Sequence, residues 1–312
     1  MKAVILTGAL RTIKKTMRYF KQNVLFSDVH VFACVQNDSN ISNSEYEEWL
    51  YSELGDHLKS VEWFVPDLKW VHIRDGLLSH MNISEHTTNY LRNGGSMIEY
   101  YQLQRAYMKM AEYEKHGTYD YVIRARTDTI YAKPVDFHWL HWSKEDVEAR
   151  IETIKTQMIL SNMEVTDDKI INYFMNTILS DDIIPNISNI ECTVIKNRDT
   201  FDISSLHDYI KNGSYLIALR KNLLYIVKRD LFYVIPCLGT MYGFMKYHGS
   251  DPNYWWNAEN QFDAICYHAN ITLYQSSTLL DANSVCDYDE KRYFDSDYNI
   301  INPYITYCLV RN

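Results

Sequence analysis

Between residues 3 and 126, short apolar runs alternate with segments of helical period, and no other feature narrows the fold as much. Residues 3–6 form a buried-strand run that begins almost at the first residue. Residues 12–26 follow, with Ile13, Met17, Phe20, Val24 and Leu25 at helical spacing. VHVFACV (29–35) is β-rich, and 44–54 reads as an acidic surface helix. Residues 60–65 and 70–73 are expected as weaker strands. Residues 96–115 read as a long helix that stops before Gly117, and 121–126 as a strand. This rhythm predicts an α/β fold with a mainly parallel central sheet flanked by helices. The runs 3–6, 29–35 and 121–126 are expected as neighbours in one sheet. Ligands of such sheets bind outside the carboxyl ends of the strands. GALRT (8–12) and RARTD (124–128) both occur there.

The rest of the chain is read more coarsely. SKEDVEARIETIKTQM is charged and helical, and a polar run follows it, so 143–200 is expected as a helical insertion or flap. From Ser214 the pattern turns to β, with breaks at 220–222 and 228–230. Residues 258–269 read as a helix and 271–274 as a strand, while the tail from Asp281 has no clear period. Without repeats or a low-complexity linker, one domain over 1–312 is expected.

Hydrophobic residues make up 46% of 312, enough for a sizeable core. A net charge of -9 argues against a nucleic-acid binder, which needs a basic face, but leaves room for a local basic pocket. The six cysteines include no C-x-x-C pair, and they read as buried thiols rather than a zinc site or a disulfide framework. The longest apolar stretch, 223–245, is broken by Lys228, Arg229 and Asp230. A soluble, cytoplasmic protein is expected.

Charges that end a buried strand are costly unless paired or bound to something. Asp128, in a turn just beyond the strand, is placed to reach Mg²⁺ or Mn²⁺, which one or two carboxylates hold together with substrate phosphates. Arg124 and Arg126 are expected on opposite faces of the sheet, one paired with a structural carboxylate and the other turned to a nucleotide. An Arg–Asp ion pair capping the strand is the competing reading. In TGALRT, Gly8 permits close approach of a ligand, the following helix offers N–H groups to an anion, and Arg11 adds a planar fork suited to phosphate. Neither G-x-G-x-x-G nor G-K-[ST] is present.

Three stretches carry a family likeness. Residues 4–35 (VILTGALRTIKKTMRYFKQNVLFSDVHVFACV) resemble the opening of small sugar transferases of bacterial polysaccharide clusters and large DNA viruses. YDYVIRARTDTIYAKP (119–134) resembles the YD-x-V-I-R-x-R-x-D segment of that group, which includes the WavE-type lipopolysaccharide synthesis proteins. WNAENQFDAICYHANITLY (256–274) resembles its late E-N-Q helix and strand. In this order and spacing they look like a GT-A-type nucleotide-sugar glycosyltransferase. The resemblance implies a nucleotide-diphosphate sugar donor, a glycan acceptor and Mn²⁺ or Mg²⁺. It implies a donor site at Gly8, Arg11, Arg124, Arg126 and Asp128, joined by Arg105 from the long helix. The family pattern at the metal is Asp-x-Asp, whereas this chain has Arg126-Thr127-Asp128, so a second ligand would come from elsewhere, with His248 and Asp251 as candidates. Inverting transfer needs a carboxylate base for the acceptor hydroxyl. Glu259 is nominated, with Asp263 one turn further on as reserve, and Trp255 and Trp256 as surfaces for an acceptor sugar. A nucleotidyltransferase is disfavoured because its Gly-rich, lysine-containing entry loop is missing. The non-enzyme alternative is a carbohydrate-binding or scaffold protein on a decayed transferase fold.

Overall fold

The computed structural model describes residues 1–135, 138–178, 193–194, 202–220, 224–233, 235, 258–275, 294–301 and 307–310. In chain order the first half runs β1 (Lys2–Ala9), α1 (Ile13–Asn23), β2 (Val29–Gln36), α2 (Asn43–Leu54), β3 (Leu58–Trp63), α3 (Leu68–Ser79), α4 (Glu85–Asn93), α5 (Ser96–Tyr113), β4 (Tyr121–Arg126) and β5 (Thr129–Tyr131). The second half runs α6 (Lys144–Leu160), α7 (Asp167–Asn176), β6 (Thr193–Val194), α8 (Leu206–Asn212), β7 (Tyr215–Arg220), β8 (Leu224–Lys228), α9 (Arg229–Phe232), α10 (Ala258–His268), β9 (Thr272–Gln275) and β10 (Tyr307–Leu309).

Eight strands form one sheet in the order β3-β2-β1-β4-β8-β7-β9-β6. β3, β2, β1 and β4 are mutually parallel, as are β7 and β9, while β8 and β6 run antiparallel to their neighbours. The expected trio is present, with β1 in the middle. Helices cover both faces. Alternate residues Ala3, Ile5, Phe32 and Cys34 meet Leu103, Ala106 and Met110 of α5. Val4, Leu6, Val31 and Ala33 meet Met17 and Phe20 of α1 and Leu50 of α2. Continuous apolar runs are the signature of strands buried on both sides. The helices of the 143–200 segment, with α8, pack over the far half of the sheet, on Tyr215, Ile217 and Tyr274.

One local expectation is corrected. Residues 70–73 lie inside α3, because the Asp67 side chain accepts from the Trp70 N–H and starts a helix that buries Trp70, Leu77 and Leu78 at helical spacing. In the tail, β10 pairs antiparallel with β5. Cys34 and Cys266 are buried free thiols. No helix among the described residues is long and apolar enough to cross a membrane.

Candidate active site

The chain leaves β1 for β2 and β3 on one side, then returns through α5 to β4 on the other. The end of β1 beside β4 is therefore a topological switch point, the place where sheets of this kind bind ligands. GALRT and RARTD lie at these two strand ends, in register through Thr7 and Arg126.

Thr127 joins them. Its N–H donates to the Thr7 carbonyl at 3.0 Å, and its hydroxyl donates to the Ala9 carbonyl at 2.7 Å. The Thr16 hydroxyl of α1 donates to the Thr127 carbonyl at 2.7 Å. Gly8 has a φ of +130°, and a Cβ there would stand 2.4 Å from Thr127 Oγ1. Gly8 thus lies inside β1, paired with Val35, rather than in the turn expected of it, and only glycine fits there. Arg11 follows, exposed, with no hydrogen bond or ion pair among the described residues. Close by in sequence, the Thr7 and Thr12 hydroxyls are buried without a hydrogen-bond partner among those residues, which leaves bonding capacity unmet at this strand end.

On the α5 side lies a charge network. Arg124 is 1% exposed and binds Glu99 at 2.9 Å; it also donates to the Ala125 carbonyl. Arg126 grips Asp128 in a two-pronged fork, Nε to Oδ1 and Nη2 to Oδ2, both 2.8 Å. It also reaches Glu99 at 3.4 Å. Burial works against the charged form of Arg126, but Asp128 and Glu99 more than reverse this, so its pKa is raised. The expectation of opposite faces is thus corrected: residues two apart in a strand share a face, and both arginines turn to α5. Glu99 was missed by the sequence reading. Its signal was spacing, since Glu99, Leu103, Ala106 and Met110 form one helical stripe, apolar except for the carboxylate.

Arg105 lies elsewhere. It binds Glu62 of β3 at 2.6 Å, two strands from β1, because its flank of α5, shared with Tyr101 and Lys109, faces that edge. Both Asp128 oxygens are taken by Arg126, and among the described residues no three His, Cys, Asp or Glu side chains come together as a metal site. His248, Asp251, Trp255 and Trp256 lie outside the described residues.

Glu259 is the second residue of α10 and is partly buried. The Tyr100 hydroxyl donates to the carbonyl of Ala258 at 2.8 Å, so the start of α10 is tied to α5 one residue from Glu99. Asp263, also partly buried, lies one turn on. Burial pushes the Cys266 thiol up, and Asp263 adds to it.

No protein-family model matches the sequence, and no curated protein matches it at a significant level. Among solved structures, the chain is similar to core-mannan synthase A from Aspergillus fumigatus in its Mn/GDP form. That match has 11% identity and a TM-score of 0.32, covering 84% of this chain and 69% of the other.

Proposed function

We propose that this protein is a glycosyltransferase that moves a sugar from a nucleotide-diphosphate donor to a glycan hydroxyl. The observation that carries the reading is the switch point between β1 and β4, where Gly8, the exposed Arg11 and the RARTD turn lie at adjoining strand ends. A helix N-terminus following β1 and the exposed Arg11 guanidinium together suit a diphosphate. The family likeness of the three sequence stretches supports the same assignment.

In the reaction, the anomeric carbon–phosphate oxygen bond breaks and the acceptor oxygen bonds to that carbon. The acceptor proton passes to Glu259, and the diphosphate leaves against Arg11. The Glu99–Arg124 pair and the Arg126–Asp128 fork hold the strand end rigid beneath the donor. The fork also favours a second reading, a glycan-binding protein without catalysis, because the one carboxylate at the strand end is already bound. Incubating the protein with a panel of nucleotide sugars and oligosaccharide acceptors separates the two. A lengthened glycan with release of nucleoside diphosphate supports the transferase; glycan binding with no turnover on any donor supports the second reading.

A further inference from the structure

The first 27 residues carry six Lys and Arg and no acidic residue, in a chain of net charge -9. Arg11, Lys14, Arg18 and Lys21 recur at intervals of three and four and so share one flank of α1 and the turn before it. Beside them runs an open groove of about 530 Å³, walled by Lys14, Met17, Arg18 and Lys21 on α1 and by Trp49 and Glu53 on α2. Its charges are largely uncommitted. The Lys14 ammonium sits 5.8 Å from the Trp49 ring centre and 5.6 Å from that of Tyr46, near enough to Glu45 to help the Ser42 hydrogen bond hold its pKa down but in no close ion pair among the described residues. Arg18 bonds the Asn299 side-chain oxygen and the Asp297 carbonyl, both uncharged. Of the three, Lys21 alone is in an ion pair among the described residues, with Glu53 at 3.0 Å. Trp49 is half-buried, and its indole N–H makes no hydrogen bond among the described residues.

We propose that this groove binds a short acidic glycan as the acceptor, which rests on the glycosyltransferase reading and specifies its acceptor class. Trp49 offers an apolar face and a free N–H donor to a sugar ring, while Lys14 and Arg18 take carboxylates. Length and charge select this ligand. From Lys14 to Lys21 the helix rises roughly 10 Å, the reach of a few linked sugars rather than a lone phosphate. Three cations against one carboxylate suit one or two ligand charges. A nucleic acid would also meet the acidic α2, with Glu45, Glu47 and Glu48 alongside Trp49 and Glu53. Arg11 begins the same stripe at the proposed donor site, so a glycan in the groove has its end directed toward the donor.

The test is calorimetric titration without nucleotide, using a uronic-acid-containing trisaccharide and its carboxyl-reduced neutral counterpart, at low and high salt. The acidic sugar is expected to bind at least about tenfold tighter than the neutral one and to weaken with salt. Lys14→Glu, an exposed change, should abolish that preference and leave the melting temperature and nucleotide binding intact. Equal binding of both sugars, an unaffected Lys14→Glu protein, or preferential capture of an RNA oligonucleotide would overturn the proposal. Acidic-sugar binding without transfer from any donor would keep the groove and sink the transferase. Transfer to neutral glycans alone would keep the transferase and sink the groove.

Discussion

Replacing Glu99 by Gln tests the network beneath the site. Arg124 is 1% exposed, and Glu99 is its only carboxylate partner among the described residues. Arg126 keeps its Asp128 fork, so the loss falls on Arg124. Removing one partner of a buried pair leaves an uncompensated charge and costs about 3–5 kcal/mol. The chain supplies its own control. The N-terminal amine and Asp120 lie 2.7 Å apart but are 40% and 70% exposed, and an exposed pair of this kind is worth about 0–1 kcal/mol. Urea titration followed by circular dichroism should therefore show a large fall in midpoint for Glu99→Gln and a small one for Asp120→Asn. The double variant Glu99→Met with Arg124→Met removes both buried charges and should be more stable than either single variant. The reasoning fails if Glu99→Gln costs no more than Asp120→Asn, or if the double variant loses the sum of the singles.

Gly8→Ala should lower stability by about 1–3 kcal/mol, because its Cβ would meet a threonine hydroxyl already committed to Ala9; an unchanged melting temperature would contradict this. Burial pushes Cys34 from about 9 to about 12, and Tyr121 and Tyr131 from about 10 to about 12. These groups hold their protons longer folded than unfolded, so their stabilisation is complete below about pH 9 and is lost as pH rises toward 12. Urea midpoints that stay flat from pH 8 to 12 would refute it. Glu259→Gln should lower transfer by about 10²–10⁴ while nucleotide binding survives; near-normal turnover would remove Glu259 as the base, and loss of both activities would give it a donor-site or structural role.

What was legible in the sequence follows from where the physical signal is local. β1, β2 and β4 announce themselves because strands buried on both faces need unbroken apolar runs. The end of β1 was readable through Gly8, whose positive φ few other residues tolerate. Such short signals mislead at WVHI (70–73), β-rich by composition yet helical, because the cap at Asp67 acts three residues upstream. Glu99 and Arg105 show the same limit. Each is one charge on a helix, and only the packing of α5 decides that Glu99 meets β4 while Arg105 meets β3. β10 has three residues and owes its place to pairing with β5, which no local pattern encodes.

The central claim is that the switch point between β1 and β4 holds a nucleotide diphosphate against Arg11. It is tested most directly by calorimetric titration of UDP, GDP, ADP and CMP, with and without Mn²⁺, into the unmodified protein and its Arg11→Ala variant. The account predicts that at least one nucleoside diphosphate binds and that Arg11→Ala weakens it by about 1.5–3 kcal/mol, the worth of a charge-assisted bond, without loss of fold. Absence of binding by every nucleotide, or unchanged affinity in a folded Arg11→Ala protein, would contradict it.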